Sequence, residues 1–365
     1  MKYFYFYFFI ISFSFSFLIN ALFLRFSKTL GIRDKKETII RWASTSKPAF
    51  GGISFFIVFL ISITCYSMFF QSQEVFWNKR VLGLLGTTTL AFIIGLADDA
   101  YNTTPILKLL AQIVCGISLC FSGIFIGIFS SMFLNYAFTV LWVVSIMNSL
   151  NLLDNMDAIA AIVSMTIFFT AAMLIYQSGS TNNFHFLILV GLISSLLGFI
   201  CFNWHPSKLY MGDTGSQMLG LLLAAIGIIY FWNNSTSESD TLSTSKQLII
   251  VCIAYILPIT DTTTVIVNRI LKKKSPFIGG RDHTTHNLFF RGVTEKRIAL
   301  IFAAIGIVGS TLIFIIERKI KEWDLNNMLL FSIFPITIFL SLFIITKLKS
   351  TKPSTEVESA DTLSK

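Results

Sequence analysis

The chain has 365 residues, of which 54% are hydrophobic and only 13% charged, with a formal net charge of +9. Soluble globular proteins carry about 25% charged residues, so this composition, with a mean hydropathy of +0.74, excludes an ordinary soluble domain. The positive charge does not indicate a nucleic-acid binder, because Lys and Arg cluster in short segments beside apolar blocks, where membrane orientation accounts for them.

A bilayer-spanning helix needs about 20 apolar residues. Inside lipid the backbone must satisfy its own hydrogen bonds, so long apolar blocks mean helices. Such blocks run roughly over 3–24, 50–70, 81–97, 107–126, 132–147, 158–176, 184–202, 216–232, 247–267, 298–316 and 328–346. The expected fold is therefore an all-α, polytopic membrane protein with about eleven transmembrane helices. The first block, Tyr3 to Leu24, is longer than a signal-peptide core, and no small-residue cleavage site follows it, so it is expected to remain as the first span. Only Gly123 to Ser131 divides the fourth block from the fifth. With no internal repeat and no soluble boundary, residues 1–349 read as one integral membrane domain, and 350–365 as a disordered polar cytoplasmic tail. Cys65, Cys115, Cys120, Cys201 and Cys252 lie within or at the edge of apolar blocks, and none forms a CxxC pair, as for packed reduced thiols.

An odd number of spans puts the termini on opposite faces. With the N-terminus outside and the C-terminus cytoplasmic, the inner segments are 25–49, 98–106, 148–157, 203–215, 268–297 and 347–365. They then hold about three-quarters of the 28 Lys and Arg, leaving Lys2, Lys79, Arg80, Lys246, Arg318, Lys319 and Lys321 for the other face. The same assignment puts plain polar linkers, 177–183 and 233–246, outside. Every chemically suggestive cluster falls inside.

Those clusters are taken in chain order. Asp98 and Asp99 close the third block in GLADDAYN. Adjacent carboxylates at a membrane edge are costly without a cation, although a solvated helix end is the simpler alternative. Lys108 and Gln112 follow one turn apart, Lys108 being either a snorkelling anchor or an anion contact. Asn148, Asn151, Asp154 and Asp157 recur every three residues, and so share one drifting helical stripe. They read either as a buried polar network or as hard oxygen ligands for Mg²⁺. In Tyr210-Met-Gly-Asp-Thr-Gly-Ser216, the glycines allow close backbone approach, and Asp213 sits near a helix start where phosphate is favoured. Asp261 lies just inside the ninth block, two helical turns before Arg269, and needs a partner at that depth. The segment 268–297 carries Arg281, Asp282, His283, His286 and Arg291 between Gly279-Gly280 and Gly292. Without a Cys, a third His or HExxH order it does not read as a zinc site, and diphosphate or sugar recognition fits it better.

The order GG, DDxxN, NxxNxxDxxD, MGDTGS and HxxHxxxxRG, from about Gly51 to Gly292, resembles the polyprenyl-phosphate N-acetylhexosamine-1-phosphate transferases of glycosyltransferase family 4. These share a superfamily with the phospho-N-acetylmuramoyl-pentapeptide transferases. The resemblance implies a multi-pass enzyme of the bacterial cytoplasmic (inner) membrane, with its active site on the cytoplasmic face. It would transfer N-acetylhexosamine-1-phosphate, with GlcNAc-1-phosphate favoured, from a UDP-N-acetylhexosamine to undecaprenyl phosphate, releasing UMP. It implies Mg²⁺, or Mn²⁺ in its place, on Asp213 and Asn151. Asp98, Asp99, Lys108 and His283 would be catalytic, and Asn102, Asn148, Asp154, Asp157, Arg281, His286 and Arg291 would bind substrate. A homodimer is an allowed assembly. The chain departs from the pattern at Thr285, where many relatives carry histidine, and at Asn155 and Ala158, where glycine is common. The alternatives are a phospho-N-acetylmuramoyl-pentapeptide transferase or, from another class, a secondary transporter; the latter usually places its ionisable groups nearer the midplane.

Overall fold

The computed structural model describes residues 2–26, 47–70, 77–234, 241–275 and 280–348. The tail 350–365, most of the inner segment 25–49 and Gly279 lie outside the described residues. Among the described residues every regular element is helical: α1 (Lys2–Phe26), α2 (Gly51–Phe69), α3 (Lys79–Tyr101), α4 (Pro105–Phe121), α5 (Met132–Leu153), α6 (Ile159–Gln177), α7 (Phe184–Asn203), α8 (Gly212–Gly227), α9 (Thr241–Ala254), α10 (Ile256–Leu271), α11 (Thr284–Phe290), α12 (Glu295–Lys319) and α13 (Leu325–Lys347). A π turn, Ile228–Trp232, extends α8. Nine described helices are long and apolar enough to cross a membrane, counting α8 with its π turn, and α4 is a shorter apolar helix. The protein is a polytopic membrane protein.

Two blocks differ from the sequence expectation. The ninth block is not one straight helix, because α9 and α10 meet at 78°. Pro258 lies in the first turn of α10, where it removes a backbone donor, and this is a recognised cause of a break. Side chains brace the corner: the Tyr255 hydroxyl donates to the Leu223 carbonyl at 2.6 Å, and the Ser149 hydroxyl to the Pro258 carbonyl at 2.8 Å. The fourth block stops at Phe121, earlier than its apolar run suggests. The following segment is not helical, so its backbone groups need other partners. Thr139 accepts from the Ile126 N–H at 2.9 Å, and Asn233 bridges the Phe125 carbonyl and the Gly127 N–H.

Around a buried apolar core, many helices also turn large apolar side chains outward. On α4, Gln112 is 1% exposed while Ile106 is 71% exposed and Leu110 55%. Such a face is stable only against lipid, with polar groups turned toward neighbouring helices. Largely apolar beyond its polar first turns, α8 with its π turn runs through the centre of the bundle, and nearly all of its residues are buried.

Glycines set how closely the central helices cross, and this fixes the site. A Cβ on Gly52 would lie 2.3 Å from the Gly215 backbone nitrogen, and one on Gly95 would lie 2.3 Å from the Asp213 carbonyl oxygen. The start of α8 is thereby wedged against α2 and against the last turns of α3, the helix that carries Asp98 and Asp99. The GG motif thus acts through packing, reinforced by Gly51 and Gly52 N–H bonds to the Tyr210 and Met211 carbonyls.

Candidate active site

The end of α3, the start of α4, the end of α5 and the start of α8 converge on one polar cluster. Lys108 lies at its centre. Its ammonium is 2.6 Å from Asp98 Oδ2 and 2.9 Å from Asp213 Oδ2. Asp98 is 5% exposed and also accepts from the Thr103 hydroxyl at 2.5 Å. The other Asp213 oxygen accepts from Asn151 Nδ2 at 2.5 Å, and the same amide reaches the Ser216 hydroxyl at 2.9 Å. Four of the sequence-selected residues, spread along the chain from Asp98 to Asp213, therefore meet directly.

Asp99 has a different role from its neighbour. Its carboxylate accepts from the N–H groups of Asp213 and Thr214, at 3.0 and 2.9 Å, and from the Thr214 hydroxyl at 2.6 Å. It caps the free N–H groups at the start of α8. At Gly212, whose φ is +73, a Cβ would strike Asp99 Oδ2 at 2.5 Å, so glycine is needed for both the backbone conformation and the close approach. Asp99 therefore positions Asp213. Asn102 ends α3 in the left-handed conformation, exposed at the rim. Asn148 points into an amide ladder: its Nδ2 donates to Gln112 Oε1 at 2.7 Å, and Gln112 donates on to Gln217 at 3.0 Å. This ladder ties α4, α5 and α8 together beside the cluster.

Beyond α5 the chain turns through the acidic loop 154–158. Asp154 is partly exposed there. Burial, and then the negative charges of Asp213, Asp99 and Asp157, push its carboxyl up to about 8. Asp157 is tied down by Ser207, through N–H at 2.9 Å and hydroxyl at 2.7 Å, and by His205 Nδ1 at 2.9 Å. His205 Nδ1 is also 2.9 Å from Glu295 Oε2, so three potential ligand atoms of Asp157, His205 and Glu295 lie within 4.8 Å of one another. Sequence reasoning missed His205 and Glu295. The available signal was a histidine in NWHPSKLYMGDTG, a segment already singled out for its other residues.

The histidine loop uses much of its charge internally. Asp261, on α10, accepts from His283 Nδ1 at 2.8 Å, the Thr284 N–H at 2.8 Å and the Thr284 hydroxyl at 2.6 Å. Arg269 makes a two-pronged bond to Asp282, at 2.8 and 2.7 Å. Burial raises the Asp282 carboxyl, but this bond outweighs it and holds the group below the ordinary carboxylate range. Arg291 donates to the Ile345 and Leu348 carbonyls, capping the end of α13. His286 is 2% exposed and sits edge-on to His283, with ring centroids 5.3 Å apart. Burial, and then the neighbouring His283, push its imidazole down to about 3. In this structure Arg291 caps the end of α13, and His286 is a buried neutral ring beside His283. Arg281 stays partly exposed beside Asp282. The loop reaches the acidic loop through Thr285, whose hydroxyl donates to Asn155 Oδ1 at 2.6 Å.

The cluster suits a hard cation. Asp98, Asp154, Asp213 and Asn151 offer carboxylate and amide oxygens, the donor class that Mg²⁺ takes. The upward displacement of Asp154 reflects burial and the neighbouring carboxylates of Asp213, Asp99 and Asp157. Each Asp213 oxygen has one hydrogen-bond partner described above, and an ionised carboxylate oxygen has room for a second contact.

Comparison with known proteins bears on the same region. The family model described as glycosyl transferase family 4 matches residues 81–231. The chain is 28% identical over 304 residues to a probable undecaprenyl-phosphate N-acetylglucosaminyl 1-phosphate transferase of Bacillus subtilis (strain 168), covering 81% of this chain and 79% of that one. It is 27% identical over 291 residues to a decaprenyl-phosphate N-acetylglucosaminephosphotransferase of Mycobacterium leprae, covering 73% and 72%. It is 30% identical over 224 residues to a phospho-N-acetylmuramoyl-pentapeptide-transferase of Streptococcus agalactiae serotype Ia, covering 56% of this chain and 66% of that one.

Proposed function

The chain belongs to glycosyl transferase family 4, and from that premise we propose that it transfers N-acetylhexosamine-1-phosphate, GlcNAc-1-phosphate in the first instance, from a UDP-sugar to undecaprenyl phosphate. UMP is the other product, and the reaction takes place on the cytoplasmic face of the bacterial inner membrane. The observation that carries this reading is the meeting of Asp98, Lys108, Asn151 and Asp213 from four helices at one end of the bundle. The three-to-one bias of Lys and Arg supports a cytosolic position for that end.

The lipid phosphate is a monoester with a second pKa of about 6, so at neutral pH it is largely dianionic and needs little help from a general base. Its oxygen attacks the β-phosphorus of the donor, the bond to the bridging oxygen breaks, and UMP leaves. The residues then have to bind, orient and neutralise. Asp213 and Asn151 would hold Mg²⁺, which when bound supplies charge neutralisation on the diphosphate and a template for in-line geometry. Lys108 brings a cation to the same point, where it stabilises charge developing on the phosphoryl oxygens. Asp98, fixed by Thr103 and Lys108, orients that ammonium and the approaching acceptor. Asp99 keeps Asp213 in place by capping α8. A site at the end of the bundle suits a lipid arriving sideways from the bilayer and a soluble donor arriving from the cytosol.

The phospho-N-acetylmuramoyl-pentapeptide donor is the second reading. The longer coverage of the N-acetylglucosaminyl relatives, 81% against 56% of this chain, favours the first. The test is purified protein in detergent with polyprenyl phosphate, Mg²⁺ and a panel of UDP-sugars including UDP-N-acetylmuramoyl-pentapeptide, reading UMP. Release with UDP-GlcNAc supports the proposal. Release only with the pentapeptide donor selects the second reading, and no lipid-dependent UMP from any donor rejects both.

A further inference from the structure

The acidic loop 154–158 and the histidine loop come from distant parts of the chain, and each is fixed from its own side. Asp157 is held by Ser207 and His205, and the Ala158 N–H donates to Asn203 Oδ1 at 2.9 Å. On the other side, His283 and Thr284 are fastened to Asp261. These are two separately braced bodies, and the bond from Thr285 Oγ1 to Asn155 Oδ1 joins them across 130 residues. Both ends of that bond are prepared. Asn155 Nδ2 donates back to the Leu152 carbonyl at 2.8 Å, which turns the amide oxygen toward Thr285. Thr285 is fully buried, so its hydroxyl has a fixed surrounding. Asn155 and Thr285 are also two of the positions at which this chain departs from the motif pattern it resembles.

We propose that Asn155 and Thr285 form a positioning pair that sets the spacing between the acidic and histidine loops, and through it the fit of the nucleotide-sugar donor, without touching a reacting atom. The inference rests on the UDP-sugar reading above. A donor seated beside both loops tolerates little change in their spacing, since small misplacements cost catalysis steeply. A hydrogen bond whose removal leaves an acceptor unpaired is enough to shift that spacing while each loop keeps its own braces.

The test compares wild type, Thr285→Val, Thr285→Ser, Asn155→Ala and the Thr285→Val/Asn155→Ala double variant. Thr285→Val keeps the shape and loses the hydroxyl; it is expected to raise KM for the UDP-sugar roughly fivefold and to leave KM for polyprenyl phosphate within about twofold. Thr285→Ser is expected to restore the wild-type donor KM, and the double variant to be no worse than either single one. Hydrogen–deuterium exchange in detergent reads the same tie independently of turnover: 152–158 and 280–291 exchange faster in Thr285→Val but not in Thr285→Ser. Wild-type KM and wild-type exchange in Thr285→Val would overturn the pair, as would equal rises in both KM values or failure of serine to rescue. If wild-type protein releases no UMP from any donor, the substrate reading is at fault, and the exchange comparison alone accepts or rejects the tie.

Discussion

The polar cluster around Asp213 and the histidine loop contain similar residues but use them differently. In the first, carboxylates, an amide and an ammonium from four helices meet with spare coordination capacity, and Asp213 keeps 26% of its side chain exposed. In the second, Asp261 is 1% exposed and spent on His283 and Thr284, while Arg269 pairs with Asp282 and Arg291 caps α13. The first arrangement can receive a ligand, whereas much of the second is the framework that holds a loop. Membership of a motif does not separate the two, but the destination of each hydrogen bond does.

Substitutions can break this contrast. The largest effect is expected for Asp213→Ala, which should lower UMP release by about a thousandfold or more while purification and thermal stability stay near wild type. Near wild-type turnover would remove Asp213 from the proposed site. Asp261→Ala should do the reverse in kind. It strands a buried imidazole and two donors, at a cost of about 3 to 5 kcal/mol seen as a lower melting temperature, with activity lost only as a consequence. An unchanged melting temperature would refute the framework role.

A smaller effect follows from pH. His286 sits at about 3 against an ordinary value of 6.5, so between these values the unfolded chain takes up a proton that the folded loop refuses. The resulting stabilisation is complete above about pH 6.5 and is lost as pH falls toward 3, the loss amounting to up to about 2 kcal/mol at pH 5. His286→Gln should show a smaller melting-temperature drop between pH 7.5 and 5 than wild type; parallel curves would contradict this. The smallest effect is expected for Arg291→Ala. Losing a helix cap costs about 1 kcal/mol, and donor KM should stay unchanged. A donor KM raised tenfold would assign Arg291 to the substrate site.

Much was legible in the sequence for a simple reason. Lipid forbids unpaired backbone, so apolar blocks of sufficient length had to be helices, and every block from Tyr3 to Thr346 has a helical counterpart. The convergence of Asp98, Lys108, Asn151 and Asp213 was foreshadowed too, because ionisable groups at the ends of apolar spans need partners. Tertiary contact alone decided the division of labour between neighbours. Asp98 and Asp99 are adjacent and chemically identical, yet successive helical positions face different directions, so one meets Lys108 and the other caps α8. His205 and Glu295, far apart in the chain, carried no periodic signal, and only the packing of α12 against the α7–α8 connection brought them together. Local periodicity reports which face a side chain occupies. What stands opposite that face depends on helix crossings, here set by contacts such as Gly52 against Gly215 and Gly95 against Asp213.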